Sequence, residues 1–297
     1  MVRVFISILI CAWSTLSFAG YSYLGVSTEH LYYSEQYVIQ GLAFRTSVSV
    51  DSPVLVSGGL HDINEKFSFS INVSSTLSPG DVEEKLLFDD QAIVDINGTD
   101  NVHVNKYSVA MAKTQTLLHY RLTPKFEILA GVGFDLHIFK RFGWSTQLQE
   151  RSVVVDGVTV QSLVILTSDT EARLLELPTG AVEQTIFSMD GLLGVGYDSG
   201  NITDNDWRFY GTALVGKSLI RTIENTLYPD VQFEGTGGSR YSTNFGVSHK
   251  IFKGAHFGVE GYYSKISRSE ESVQGVIAAK SETEIIRLTF SFMWKLD

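Results

Sequence analysis

The chain is nearly without cysteine: of 297 residues only Cys11 carries a thiol. It has 5 prolines, and beyond its first 19 residues no stretch approaches the roughly 18 consecutive apolar residues of a membrane-crossing helix. Each shortage excludes something. A single thiol allows no intrachain disulfide and no cysteine metal cluster. The lack of long apolar runs excludes a helical membrane protein. Scarce proline leaves nearly every backbone N–H free to pair, as a sheet demands. Basic charge is short as well, with 23 Lys and Arg against 33 Asp and Glu, so there is no basic patch for nucleic acid.

Residues 1–19 read as a cleaved secretory signal. Arg3 is their only charge, Val4 to Trp13 is an apolar run too short to span a bilayer, and Ser17-Phe18-Ala19 puts small residues where a signal peptidase reads. Cleavage leaves Gly20 first, removes Cys11, and provides no cysteine for lipid attachment. Residues 20–297 then form one domain, of a size that β-barrels reach as a single unit. With 13 Tyr, 18 Phe and 26 Gly, this is the chemistry of strands and tight turns.

The last strand is the most informative. Ile286, Leu288, Phe290, Phe292 and Trp294 alternate with Arg287, Thr289, Ser291, Met293 and Lys295, so period two gives one apolar face and one more polar face. This pattern resembles the closing strand of a Gram-negative outer-membrane β-barrel protein. The hairpin at 106–140, turning through Thr123-Pro124-Lys125, resembles the hairpins of the same barrels. The resemblance implies a transmembrane antiparallel up-and-down β-barrel in the cell outer membrane. Its implied contacts are outer-membrane lipid, lipopolysaccharide, periplasmic chaperones and the barrel-assembly machinery. One departure is that Lys295, Leu296 and Asp297 follow Trp294, where the family's assembly signal commonly ends on an aromatic; another is Thr289 where Gly is common.

Counted backwards from the C-terminus, strands are expected at 281–296, 255–269, 239–251, 206–222, 184–198, within 106–140, and at 65–76. Two more are expected within 21–61. Tyr37 to Val50 and Val54 to Gly59 flank Asp51-Ser52-Pro53; the count is ten if they form one descending arm and twelve if they are separate. Ten is the expectation, with eight as a further possibility. Long connections at 77–104, 141–182, 223–238 and 270–280 fall on one side and short turns such as Phe252-Lys253-Gly254 on the other, as in outer-membrane barrels. Residues 77–104 carry Asp81, Glu83, Glu84, Asp89, Asp90, Asp95 and Asp100 against Lys85, an acidic loop for a small solute or extracellular ligand. Val153 to Val160 around Asp156-Gly157 reads as a projecting ribbon. The Gly-x-Gly of Gly131-Val132-Gly133 and Gly194-Val195-Gly196 lies within strand patterns with no following helix, so it is not a nucleotide loop.

Facing follows from charge, because Lys or Arg at mid-membrane on the lipid side costs about 2–4 kcal/mol. Lys66, Asn72, Lys113, Gln115, His119, Arg121, Glu127, Asp135, His137, Asp190, Arg208, Asn244, Lys250, Glu260 and Arg287 are placed in the lumen. Phe67, Phe69, Phe126, Ile128, Phe134, Phe187, Val195, Trp207, Phe209, Phe245, Phe257, Tyr263, Phe290, Phe292 and Trp294 are placed toward lipid. A lumen of both signs calls for cross-barrel ion pairs, and ten strands leave a narrow or blocked passage.

A search for chemistry returns little. Ser248 and His249 are adjacent and so point to opposite faces of a strand. Gly-x-Ser-x-Gly and His-Glu-x-x-His are absent. Asp89-Asp90 and His103 could be cast in omptin-like roles. The sequons at Asn72, Asn97 and Asn201 read as chance matches. The seven His have no metal-ligand spacing, so no metal or other cofactor is expected, although loop carboxylates could hold Ca²⁺ weakly. The expected function is therefore a non-enzymatic, porin-like narrow channel or a cell-surface binding or structural barrel. The alternatives are an outer-membrane hydrolase, of the omptin protease or phospholipase type, and a secreted soluble barrel with an apolar ligand inside.

Overall fold

The computed structural model describes residues 20–39, 42–89, 101–146, 152–155, 158–161, 181–200, 206–274 and 276–296. The signal expected at 1–19 lies outside them, as do Asp90, Asp95, Asp100 and two of the sequons, at Asn97 and Asn201. The elements are β1 (Gly20–Ile39), β2 (Leu42–Asp62), β3 (Phe67–Thr76), β4 (Asp81–Phe88), β5 (Asn101–Arg121), β6 (Phe126–Thr146), β7 (Ser152–Val155) and β8 (Val158–Gln161). They continue as β9 (Val182–Asp198), β10 (Trp207–Asn225), β11 (Phe233–Gly235), β12 (Gly238–Phe252), β13 (Ala255–Arg268), β14 (Glu271–Val273), β15 (Val276–Ala278) and β16 (Lys280–Leu296). Each main strand pairs antiparallel with its neighbours, and β16 pairs with β1. Because β3 and β4 occupy one stave between β2 and β5, the ring is a closed barrel of ten strands, a transmembrane up-and-down fold. Among the described residues there is no helix.

The descending arm around Asp51-Ser52-Pro53 is a single strand, β2, although Tyr37 to Ile39 belong to β1. Pro53 is tolerated for a local reason. Its carbonyl accepts from Leu77 N–H at 2.9 Å, so its nitrogen points to the same side, toward the stave that breaks between β3 and β4. A missing donor costs little where the ladder is interrupted. The break at 77–80 also corrects the acidic loop: Asp81, Glu83 and Glu84 stand on β4, with Glu84 buried. Val82, Leu86 and Phe88 share the inward face with Glu84 and alternate with Asp81, Glu83 and Lys85, enough apolar surface to carry the strand on. Two other connections are shorter than expected, since β6 runs on to Thr146 and β10 to Asn225. β7 and β8 form the expected ribbon.

The tight β12–β13 turn needs Gly254, whose φ is +78°. Residues after Trp294 belong to the closure: Lys295 pairs with Tyr21 and Leu296 with Gly20.

The faces of the wall exchange character part-way along. Nearer the short turns, the outside is apolar (Val26, Leu118, Phe126, Val195, Phe209, Phe245, Phe290, all exposed) and the inside mainly polar (Ser27, Ser68, Lys113, Asp135, Arg208, Thr289, Ser291, all buried), with one buried apolar cluster of Leu117, Leu129, Leu192 and Leu214. Nearer the long loops the inside becomes apolar (Leu31, Tyr33, Val48, Tyr107, Phe139, Ile186, Ile285). The outside there carries exposed Arg45, Glu83 and Lys85 and half-buried Lys265, Glu282 and Glu284. The exchange is abrupt. Inward Glu29 gives way to Leu31 on β1, Ser52 to Val50 on β2, His137 to Phe139 on β6, Ser188 to Ile186 on β9, Ser264 to Ile266 on β13 and Arg287 to Ile285 on β16. Within a residue or two the outer face changes too, at His30, Asp51, Lys140, Thr185, Lys265 and Glu284. On β6 the apolar outer stretch runs from Phe126 to Ile138 and on β9 from Phe187 to Tyr197, long enough to cross a hydrocarbon core when tilted.

Candidate functional site

The polar half of the lumen encloses a cavity of about 130 Å³. Arginines bridge the interior at successive levels. Nearest the turns, Arg208 on β10 holds Asp198 through Nε at 3.0 Å and Nη2 at 2.6 Å, and donates to the Tyr21 hydroxyl at 2.8 Å. Its guanidinium lies 4.4 and 4.7 Å from the ring centroids of Tyr21 and Tyr210. Bare Gly246 makes this possible, since a Cβ there would run into the Tyr210 ring. Higher up, Arg240 on β12 donates to Asp135 on β6 at 2.5 Å and lies 3.4 Å from Asp190 on β9. Arg268 donates to Thr283 at 3.0 Å and faces His137 at 3.5 Å.

Above these the lumen is filled. Tyr33 from β1 stacks on Phe139 from β6 with ring centroids 4.6 Å apart, and Tyr107 from β5 lies 6.0 and 5.8 Å from the two. Leu31, Val48, Val50, Val109, Met111, Ile186, Ile223 and Ile285 pack around them, with Phe233 of β11 and Ala278 of β15 from the loop side. Arg141 caps this apolar plug, donating to Glu35 and Glu84, each at 2.8 Å. Glu84 also accepts from Asn105 at 2.7 Å and Thr46 at 3.0 Å. Burial would raise the Glu84 carboxyl, but Arg141, Asn105 and Thr46 outweigh it and hold the group below the ordinary carboxylate value.

The structure sets Lys113, His119, Arg121, Glu127, Asp135, His137, Asp190, Arg208, Glu260 and Arg287 on lumen-facing positions, with Lys250 half-buried near the turns. Lys113 lies 5.7 Å from the Tyr262 ring centroid, Arg287 4.5 Å from it and 3.7 Å from Glu29, and Glu260 accepts from Asn244 at 3.1 Å. Lys66 is not in the lumen. It sits in the 63–66 turn and is exposed, because strand alternation stops at Asp62 and resumes at Phe67. The outward aromatics Phe126, Trp207, Phe209, Phe245, Phe257, Phe290 and Phe292 are exposed; Phe67, Phe69, Phe134, Phe187, Tyr263 and Trp294 are partly covered by their neighbours. Asp89 is exposed and 3.4 Å from Arg45; the His103 side chain is outside the described residues. No group of His, Cys, Asp and Glu that could hold a metal occurs among the described residues.

Sequence reasoning missed Arg141, treated as loop, and Arg240 and Arg268, whose parity matches that of lumen residues Asn244 and Ser264. It also missed a relay lining the cavity. Ser70 Oγ is 2.8 Å from His119 Nε2, and His119 Nδ1 is 2.7 Å from Glu127 Oε2. The polar parity of all three was readable; their juxtaposition was not, because it depends on register across β3, β5 and β6. The Ser248–His249 pair forms no dyad, as strand alternation requires: Ser248 is buried beside His256 at 3.1 Å, while His249 is exposed against Trp207.

These features define a closed transmembrane β-barrel with a plugged lumen. The outer-membrane protease OmpT of Escherichia coli shares this fold, with a TM-score of 0.62 over 95% of this chain and 99% of that one, at 12% identity. The translocator domain of the autotransporter NalP from Neisseria meningitidis matches 98% of this chain and 94% of its own length at 11% identity, with a TM-score of 0.40. The outer-membrane protein OprG of Pseudomonas aeruginosa covers 94% and 96% at 10% identity and 0.33. No family model and no curated protein sequence matches the chain.

Proposed function

We propose that the protein is a non-conducting barrel of the Gram-negative outer membrane that presents its long loops at the cell surface, where those loops have a binding or structural role and no catalytic one. The observation that carries this reading is the plug. Tyr33 of β1 meets Tyr107 and Phe139, which come from the neighbouring strands β5 and β6 across the lumen, and Arg141 ties β6 to β1 and β4 above them. A solute path would need this packed layer opened. The fold shared with an outer-membrane protease supports the location; of the residues considered for omptin-like roles, Asp89 is exposed 3.4 Å from Arg45, and Asp90 and the His103 side chain lie outside the described residues. Planar-bilayer recording of the purified barrel tests the reading. No unitary conductance is expected, and steady ohmic channels would overturn it. A second, hydrolytic reading has one observation in its favour, the Ser70–His119–Glu127 relay.

A further inference from the structure

We propose that Ser70, His119 and Glu127 form a nucleophilic site inside the lumen that cleaves small carboxylic esters. This goes beyond the surface role above and survives its failure, because it depends on the cavity and not on the plug. Each link of the relay is one diagonal step across the sheet. Ser70 pairs with Leu117 and reaches His119; His119 pairs with Leu129 and reaches Glu127. Diagonal neighbours stand about 7–8 Å apart at Cα, a gap that a histidine spans. The polarity is that of a working triad. Glu127 at Nδ1 fixes the proton on that nitrogen, leaving Nε2 to accept from the Ser70 hydroxyl.

Two features separate this chain from an ordinary buried hydrogen bond. All three side chains line the 130 Å³ cavity, so Ser70 faces space that a ligand can occupy. The carboxylate is held from behind by Arg121, whose Nε lies 3.5 Å from Glu127 Oε1, and Gly196 stands opposite Glu127 with no side chain to crowd it. Amide donors for a developing oxyanion stand one position further along the same wall. Asn72, whose Oδ1 accepts from the Tyr23 hydroxyl at 2.8 Å, pairs with Gln115, and both line the cavity. The cavity's size restricts substrates to esters with a short acyl group.

In the reaction Ser70 Oγ attacks the ester carbonyl carbon while His119 Nε2 takes the hydroxyl proton. The C–O bond to the alcohol then breaks and His119 returns that proton to the leaving alkoxide. Water, deprotonated by His119, attacks the acyl-serine, and its proton goes back to Ser70 Oγ as the carboxylic acid leaves.

The test is phosphorylation of the folded, detergent-solubilised barrel by diisopropyl fluorophosphate, read by intact mass and peptide mapping, with p-nitrophenyl acetate turnover alongside. A single adduct on Ser70 is expected, absent in Ser70→Ala, with labelling and turnover falling roughly 100-fold or more in His119→Gln. Heat-dependent gel mobility verifies that each variant is folded. If His119→Gln does not fold, Ser70→Cys replaces it. With residues 1–19 removed the cysteine is the sole thiol, and beside His119 it is expected to react with iodoacetamide at least ~10-fold faster at pH 7 than an unassisted thiol. No Ser70 adduct, labelling unchanged in folded His119→Gln, or a Ser70→Cys thiol of ordinary reactivity would overturn the proposal.

Discussion

The two halves of the barrel are built inside-out relative to each other. Near the turns, Val195 and Phe245 face outward while Asp135 and Arg208 face in; near the loops, Lys265 and Glu284 face outward while Tyr33 and Phe139 face in. One strand can carry both arrangements because alternation fixes only that neighbours point oppositely. What each face holds is decided by what lies beyond it. Hydrocarbon outside leaves polar groups only the lumen, where they pair across the barrel. Water outside restores the soluble arrangement, and the loop half closes around an apolar core like that of a globular domain.

The sharpest way to break this comparison is to remove the apolar core. Phe139→Ala removes a ring that packs on both Tyr33 and Tyr107 and should cost about 3–5 kcal/mol, read as a fall in the urea midpoint for unfolding from liposomes. If the plug also seals the barrel, Tyr33→Ala/Phe139→Ala should conduct where the parent does not. An unchanged midpoint would mean that the loop half has no core of its own.

The boundary between the halves can be placed by moving one charge along one strand. Val195→Arg puts a guanidinium on the apolar outer face of β9 and should cost about 2–4 kcal/mol; Thr185→Arg, ten residues nearer the loops on the same face, should change stability by less than ~1 kcal/mol. Equal costs at the two positions would remove the boundary at this level.

Strand number and alternating direction were legible in the sequence because each rests on a local signal: period two or a cluster of turn formers. Three things were not. The β3–β4 stave looked like an acidic loop because Glu84 sits at a lumen position whose partner, Arg141, lies 57 residues away. The exchange of faces escaped notice because each strand was given a single polarity along its whole length, whereas Asp135 and Phe139 share one side of β6 in different surroundings. The Ser70 relay required knowing that His119 stands opposite Ser68 and not Ser70, a register set by the 63–66 and 122–125 turns together. Parity is readable within one strand; register belongs to a pair.

The arginine cap at the loop end should be acid-sensitive in a predictable direction. The Glu84 carboxyl titrates below its unfolded value, so its contribution is complete above the unfolded carboxylate range, near pH 4.3, and is lost as pH falls through the lower folded value. Glu84→Gln keeps the shape while removing the charge that meets Arg141, and should cost about 1.5–3 kcal/mol at neutral pH. The same variant should flatten the acid limb of the stability profile below pH 4. A mutant that stays parallel to the parent through that range would assign the acid sensitivity to other groups.

The smallest effect is expected where the outer face turns polar. Lys265 on β13 lies 3.0 Å from both Glu282 and Glu284 on β16, with the three side chains 37–39% exposed. Two carboxylates raise the lysine above its ordinary value, mainly through their hydrogen bonds, yet water screens the cluster. Exposed pairs are worth about 0–1 kcal/mol. Lys265→Ala should therefore cost no more than that, and the cost should disappear in 1 M salt, where screening acts within about 3 Å. A loss above 2 kcal/mol that persists in salt would place Lys265 in a low-dielectric layer, moving the boundary of the hydrocarbon toward the loops by at least one residue pair.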